Sequence, residues 1–439
     1  MRYGRVKYQD SIYLLCVFIV SFLCAIGYSL AFKAPLLTDA KQFDILGWNL
    51  AQGKGYVDEE QKLTMFREPA YPYFLSIVYM TFGHRYEAVF VAQAVLFAGI
   101  ALMSFFLAKY IFGIGAARLA SIVVALFPTL GNYTIYLLSE VFFAFCLMLF
   151  LLILSRSLAS ESYIGIFASG IILAVLALTK AIMLFFVFFI IFGFFTLDFG
   201  KKQFFKKFFL KSLLLLFSFT ICVAPWMARN KEAFGTYSIS LRVGKALYNR
   251  AVKLDYGWDR WRKIEVFSLS EYLGNRMYPG MAKDPSRFLL IEDHIAQNKL
   301  NQLMASGLSP LEADKVLAKE SLEKIKSRPF AYLGQSALES IKLLGFTHIP
   351  SLNERKGGLI LSFVRGVFRI SAYPIFIFCL AGISISLNEW RKWLVVSLAI
   401  IYITVSYGLT FSWARYTVPL IPCYVIFAAI FIKRRLYEK

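Results

Sequence analysis

Apolar residues along the chain fall into long, charge-poor blocks separated by short polar pieces. They do not follow the mixed apolar and polar period of a soluble helix. Blocks of this kind about 20 residues long cross a bilayer as helices. Ten are predicted, near 11–32, 88–108, 117–136, 138–155, 163–179, 181–198, 212–228, 371–387, 393–412 and 416–432. The apolar stretch 69–83 (PAYPYFLSIVYMTFG) is too short and carries two prolines, so it is expected to lie along the membrane surface as a juxtamembrane segment. Two longer polar stretches remain, a first loop over 33–87 and a region over 229–356. The second holds 21 Lys and Arg against 14 Asp and Glu, turn signals at Tyr278-Pro279-Gly280 and Asp284-Pro285, and a helix pattern over 309–328 that stops before Pro329. The expected fold class is therefore all-α and polytopic. The expected division is a membrane module over 1–228, an extracytoplasmic and mostly helical region over 229–356, and C-terminal membrane helices over 357–439.

Charge orients these spans. The pieces assigned to the cytoplasm hold 17 Lys and Arg against two, Lys180 and Arg415, in the short loops opposite. By the positive-inside rule both termini are cytoplasmic, and 33–87 and 229–356 are extracytoplasmic. Arg2, Arg5 and Lys7 before the first apolar block suggest a signal peptide, but a block this long without a small-residue cleavage pattern reads as a first spanning helix.

Composition narrows the class further. With 59% apolar residues, 44 Phe, 25 Tyr, only 17% charged residues and a mean hydropathy of +0.61, the 439-residue chain is neither disordered nor an ordinary soluble domain. A formal charge of +21 in such a chain points to anionic lipid, not nucleic acid. The six cysteines lie in apolar stretches and read as small hydrophobes. No HExxH, CxxC, GxSxG, Walker or GxGxxG pattern occurs, and the three histidines are scattered.

The remaining charges near the membrane collect at the outer ends of spans: Asp39, Asp44, Arg67, Glu68, Glu140, Lys180, Arg229, Arg365, Arg369 and Arg415. A proton- or ion-coupled transporter would put ionisable groups near the midplane, whereas an enzyme acting on a lipid headgroup would gather them at this level. Asp39 follows the first span, and a carboxylate on a helix end there can act as general base on an acceptor hydroxyl; from spacing alone the commoner reading is helix capping by Thr38 or Asp39 ahead of the helical DILGWNLA pattern. Asp44 is turned about 140° from it on a helix and reads as structural. Glu140, alone among apolar neighbours, is either the partner of a basic group or an acid supporting catalysis or a metal. Lys180 and Arg415 are either interface anchors, Arg415 between Trp413 and Tyr416, or ligands of an anionic leaving group.

The order of these features resembles the GT-C superfamily of polyprenyl-phosphate-sugar-dependent glycosyltransferases, in particular bacterial relatives of the protein O-mannosyltransferases and of the lipid A aminoarabinose transferases. Five stretches carry the resemblance. They are Asp39 with the apolar helix and GKGY that follow it (39–56), REPAYP (67–72), LSE (138–140), APWMARN with FG soon after (224–235), and ARYTVPLIP (414–422). The resemblance implies a GT-C-like bundle of about ten membrane helices with juxtamembrane helices. It implies inverting sugar transfer from a polyprenyl-phosphate donor to a hydroxyl on a lipid, glycan or protein, at the extracytoplasmic face of the bacterial inner membrane. Asp39 matches the first-loop catalytic carboxylate and Glu140 the second-loop acid. Arg67, Lys180 and Arg415 stand where donor-phosphate contacts are expected, with Asp44, Tyr71, Arg229, Arg369 and Tyr416 in support. Glu68 replaces the family's proline after the basic residue, which leaves the register of that motif open by one position. No organic cofactor is implied. A divalent metal between Asp39 and Glu140 is the lesser expectation, because Ala40 stands where many relatives carry a second acid. Two other classes are a lipid-linked saccharide flippase or other transporter, working without a carboxylate base, and a membrane O-acyltransferase, which would need an embedded histidine.

Overall fold

A transmembrane helix survives in hydrocarbon because all its backbone hydrogen bonds close within the segment, and the apolar blocks of this chain take that form. The computed structural model describes residues 8–32, 36, 38–201, 203–257, 291–345 and 372–437, together with positions 259, 262–264, 266 and 276–278. Among these residues there is no strand, only one isolated bridge between Val57 and Leu63. Among the described residues seven helices are long and apolar enough to cross a membrane, Gln9–Ala31, Tyr86–Phe112, Glu140–Ser160, Ala181–Asp198, Phe204–Phe234, Leu387–Leu409 and Arg415–Arg435, and three shorter apolar helices accompany them.

In chain order, α1 (Tyr8–Ala31) leads to α2 (Thr38–Ala51), which carries Asp39 in its first turn. The helix α3 (Ala70–Phe82) occupies the stretch 69–83. Its Tyr71, Leu75 and Tyr79 are buried, while Tyr73, Ile77 and Met80 face outward. Gly47 lets α2 and α3 cross closely, for a Cβ there would stand 2.7 Å from that of Leu75. Next come α4 (Tyr86–Phe112), α5 (Ile114–Ala125), the short α6 (Pro128–Tyr133), α7 (Glu140–Ser160) and α8 (Tyr163–Thr179). A 3₁₀ turn, Ala181–Phe185, precedes α9 (Phe186–Asp198) and α10 (Phe204–Phe234).

The expectation of one continuous span over 117–136 is corrected by the structure. Pro128 supplies no N–H and pushes Phe127 into extended backbone (φ −72°, ψ 114°), so α5 ends and α6 restarts as a single buried turn. Twelve residues of α5 cover about 18 Å, less than a hydrocarbon core. The chain then runs through 134–139 as buried, largely non-helical backbone. Its polar groups need internal partners, and buried Gln93 on α4 supplies two by donating Nε2 to Thr134 O (2.9 Å) and Tyr136 O (2.8 Å). This irregular segment delivers Glu140.

The polar region contributes α11 (Val243–Ala251), α12 (Ile291–Ala305), α13 (Pro310–Ser327) and α14 (Pro329–Gly345). The helix pattern over 309–328 is therefore met, with Ser309 and Glu312 forming a reciprocal capping box and Pro329 opening the next helix. The turn signals at 279–280 and 284–285 lie outside the described residues. The final helices are α15 (Ala372–Ile385), α16 (Trp390–Leu409), a 3₁₀ stretch over Ala414–Leu420, and α17 (Ile421–Tyr437). Small residues allow close crossings where association in lipid depends on packing: a Cβ on Gly170 of α8 would fall 2.6 Å from Leu215 O of α10, and one on Gly382 of α15 would fall 2.0 Å from Phe427 O of α17. All six cysteines are free.

Candidate active site

Asp39 stands within the first turn of α2, where the helix dipole favours an anion. Its two carboxylate oxygens accept from different arginines, one from Arg67 Nη2 and the other from Arg415 Nη2. Of the two readings left open by the sequence, capping and a role in a charged site, these contacts match the second. Arg67 is itself 3% exposed and donates Nε to Gln42 Oε1 (2.7 Å), one turn along α2. No one-residue shift of the REPAYP register is needed for this residue to reach Asp39.

The first loop holds Arg67 in place by backbone contacts. Tyr56 donates its hydroxyl to Arg67 O (3.0 Å) and Glu68 O (3.2 Å). Arg229 on α10 donates to Thr64 O (2.8 Å) and Tyr56 O (3.3 Å), its guanidinium lying 4.8 Å from the Trp226 ring centre. Arg229 thus clamps the loop and makes no ion pair with Asp39. Glu68 accepts from Ser240 Oγ (2.9 Å).

Arg415, 7% exposed, sits on the irregular 3₁₀ stretch with its guanidinium 4.3 Å from the Trp413 ring centre and 5.3 Å from that of Tyr416. It reaches a second carboxylate, with Nε 3.7 Å from Glu140 Oε1. Lys180, at the break between α8 and the following 3₁₀ turn, brings Nζ within 3.4 Å of the same oxygen and lies 5.1 Å over the Tyr416 ring. Glu140 Oε2 is buried with no hydrogen-bond partner among the described residues. The chain of contacts Arg67–Asp39–Arg415–Glu140–Lys180 joins five residues from five separate segments. Neither Lys180 nor Arg415 has the exposed head of a simple interface anchor, since their side chains are 11% and 9% exposed.

The remaining singled-out residues surround this chain. Tyr416 stacks on Tyr407 (ring centres 4.5 Å apart) beneath both cations. Tyr71 packs edge-on against Phe43 (5.1 Å), over which the Arg67 guanidinium lies at 5.0 Å, and donates to Gln93 Oε1 (3.2 Å). Asp44 belongs to a separate network, accepting from Tyr79 (2.6 Å) and Tyr86 (2.9 Å) and facing His84 Nε2 (2.7 Å). Arg369 lies outside the described residues. Sequence reasoning missed Gln42, Gln93 and Arg242. Gln42 was within reach, being three residues from Asp39 on one helix face. Nothing in the sequence marks Gln93 or Arg242.

Burial would raise the Asp39 carboxyl, but Arg415, Arg67 and Arg242 outweigh it and hold the group far below the usual carboxylate range. Arg415 bridges Asp39 and Glu140 through Nη2 and Nε, and no group of three His, Cys, Asp or Glu residues gathers among the described residues. What the arrangement offers chemically is a part-buried carboxylate between cations preorganised for an anionic oxygen.

Fold and site together define a polytopic helical membrane protein of GT-C-like architecture, with a buried acid–base cluster at the junction of its first loop and last helices. The comparisons agree with that resemblance. Residues 67–228 match the family model described as dolichyl-phosphate-mannose-protein mannosyltransferase. Among solved structures, the archaeal oligosaccharyltransferase AglB from Archaeoglobus fulgidus, in complex with an inhibitory peptide and a dolichol-phosphate, is 15% identical and covers 98% of this chain and 52% of its own, with a TM-score of 0.52. The same organism's oligosaccharyltransferase tethered to an acceptor peptide with the NVT sequon gives 14% identity, 98% and 51% coverage and a TM-score of 0.54. ArnT from Cupriavidus metallidurans bound to undecaprenyl phosphate is 14% identical, covering 96% of this chain and 78% of its own at a TM-score of 0.42. This chain spans about half the length of the archaeal enzyme, with which it shares a fold. No curated protein matches it.

Proposed function

We propose that the protein transfers a sugar from a polyprenyl-phosphate donor to a hydroxyl of an envelope lipid, glycan or protein, at the extracytoplasmic face and with inversion. The observation that carries this reading is the seat of Asp39 between Arg67 and Arg415. In the reaction the acceptor oxygen bonds to the anomeric carbon as the bond from that carbon to the phosphate oxygen breaks. The electron pair leaves with the polyprenyl phosphate, which becomes a monoester dianion, and the acceptor proton passes to Asp39. With both guanidiniums on it, Asp39 is a weak base. A donor phosphate competes for the same two arginines, and as charge builds on the leaving oxygen they shift toward it. Asp39 then gains proton affinity at the moment the acceptor proton is released. Lys180 and Arg242 add positive charge around the same anion, while Glu140 holds Arg415 and Lys180 in register. The residues present supply the charge stabilisation that a metal would bring, and the proposed reaction requires no organic cofactor.

The test is Asp39→Asn, assayed with a polyprenyl-phosphate sugar and cell-envelope acceptor extracts. Transfer should fall about 10²–10⁴-fold, the usual contribution of general-base assistance, with donor binding retained. Near-normal turnover would remove Asp39 from the mechanism.

A further inference from the structure

Arg415 stands just beyond the end of α16, on chain that has left its helix. Thr410 departs from helical backbone (φ −110°, ψ −94°), Trp413 is extended, and the 3₁₀ stretch begins at Ala414. Backbone of this kind needs new partners, and α14 meets it from one face. Tyr332 donates its hydroxyl to Leu409 O, and Ser412 Oγ donates to Glu339 Oε2 (2.6 Å). Thr417 Oγ1 donates to Leu343 O (2.9 Å), one of the last four carbonyls of α14, which have no acceptor role within the helix. Residues 332, 339 and 343 are spaced seven and four apart and so share a helix face. The two helices cross at Gly408, where a Cβ would fall 1.9 Å from Ser340 Oγ and 2.9 Å from Ser336 O. Contacts with α14 therefore stand on both sides of Arg415 along the chain.

The outward face of α14 is apolar, with Phe330 (87% exposed), Leu333, Leu338 and Ile341 (60%), while Tyr332, Ser336 and Glu339 are buried. Such a face suits the acyl boundary of a bilayer. The hydrogen-bonding groups of α14 are thus turned inward, onto the segment 408–417. Glu339 is also held from outside that segment, with Lys253 Nζ at 2.7 Å from Oε1 and Lys342 Nζ at 3.4 Å from Oε2. A carboxylate fixed in this way gives Ser412 a firm point of attachment three residues before Arg415.

We propose that Ser412 and Glu339 are positioning residues, through which α14 sets where the Arg415 guanidinium stands between Asp39 and Glu140. They touch no reacting atom and act through Arg415. In the transfer reaction proposed above, on which this assignment rests, a misplacement of about 1 Å in a group that stabilises developing charge costs about 10²-fold in rate. A single hydroxyl 2.6 Å from a fixed carboxylate is the kind of support that prevents it.

The test compares Ser412→Ala with Ser412→Thr, which keeps a hydroxyl, in the full-length protein in nanodiscs, each alone and combined with Arg415→Lys. Amide hydrogen exchange over 409–418 and transfer rate against donor concentration are read beside the thermal melt. Ser412→Ala should speed exchange over 409–418 about tenfold or more, the value of one charge-assisted hydrogen bond, and Thr should restore it. The melt should stay near that of wild type, because Lys253 and Lys342 still face Glu339. Ser412→Ala should lower kcat/KM about 10- to 100-fold by itself and add little to Arg415→Lys, as expected of two residues that act as one. Unchanged exchange or unchanged kinetics in Ser412→Ala would overturn the assignment. So would losses that multiply in full with those of Arg415→Lys, or a melt far below wild type, which would make Ser412 a plain stability contact. The exchange measurement needs no turnover, so failure of the transfer reading, seen as an inactive wild type, is told apart from failure of this assignment, seen as unchanged exchange.

Discussion

Arg415→Lys tests the site most sharply, because it keeps the charge and removes the geometry. Arg415 uses different nitrogens for Asp39 and Glu140, which a planar fork can do and a single ammonium cannot. The variant loses at least one charge-assisted contact, worth about 1.5–3 kcal/mol, and weakens the stack on Trp413 at 4.3 Å, worth about 0.5–1 kcal/mol. If these interactions act on the leaving phosphate, the loss in kcat/KM is about 30- to 900-fold. The assay is initial transfer rate against donor concentration in nanodiscs, with a thermal melt to exclude misfolding. A residue serving only as an interface anchor would tolerate Lys almost silently, since either side chain can place its head among headgroups. Unchanged kinetics in a folded Arg415→Lys protein would refute the phosphate-fork assignment.

The other predictions concern the scaffold and pH. Asp44→Asn should lower stability by about 1–3 kcal/mol, because Asn cannot accept from Tyr79, His84 and Tyr86 together; kcat at saturating donor should change little. Gly47→Ala should cost about 1–3 kcal/mol by overpacking α2 against Leu75, and should reduce transfer by moving Asp39, read as a lower melt together with a lower rate. The Asp39 carboxyl is depressed in the folded state, so its stabilisation is complete above the ordinary aspartate value of about 3.9 and is lost only as pH falls below that, toward the folded pKa. The acid limb of kcat/KM should therefore show no ionisation near pH 4 that Asp39→Asn abolishes.

Much of this was legible in the sequence, for identifiable reasons. Charge-poor blocks report spanning helices because hydrocarbon tolerates little else, and the ten blocks correspond to the seven long and three shorter apolar helices, with one broken at Pro128. The five charged site residues were visible because each is an ionisable group at the end of an apolar run, where its cost demands a function or a partner. Their mutual pairing was not legible. Asp39 and Arg415 are 376 positions apart, and nothing local to either stretch names the other. Gln93 was invisible for the opposite reason, as an uncharged residue inside an apolar helix whose task, holding the carbonyls of Thr134 and Tyr136, exists only because Pro128 breaks the span ahead of them.

That break connects the irregular parts of the molecule to its chemistry. Four of the five site residues stand where a regular helix starts, stops or is interrupted: Asp39 in the first turn of α2, Glu140 at the head of α7, Lys180 at the end of α8, and Arg415 on a 3₁₀ stretch. A continuous helix through any of these points would present side chains to lipid or to a neighbouring helix at fixed angular steps. It could not aim four of them at one point. Interruption frees backbone carbonyls that hydrocarbon will not satisfy, so each break needs its own partner, as Gln93 provides for 134–136. Variants at such partners should disturb the site without touching a charged group. Gln93→Met, unbranched and of similar length but without donors, is the case where that coupling is most direct.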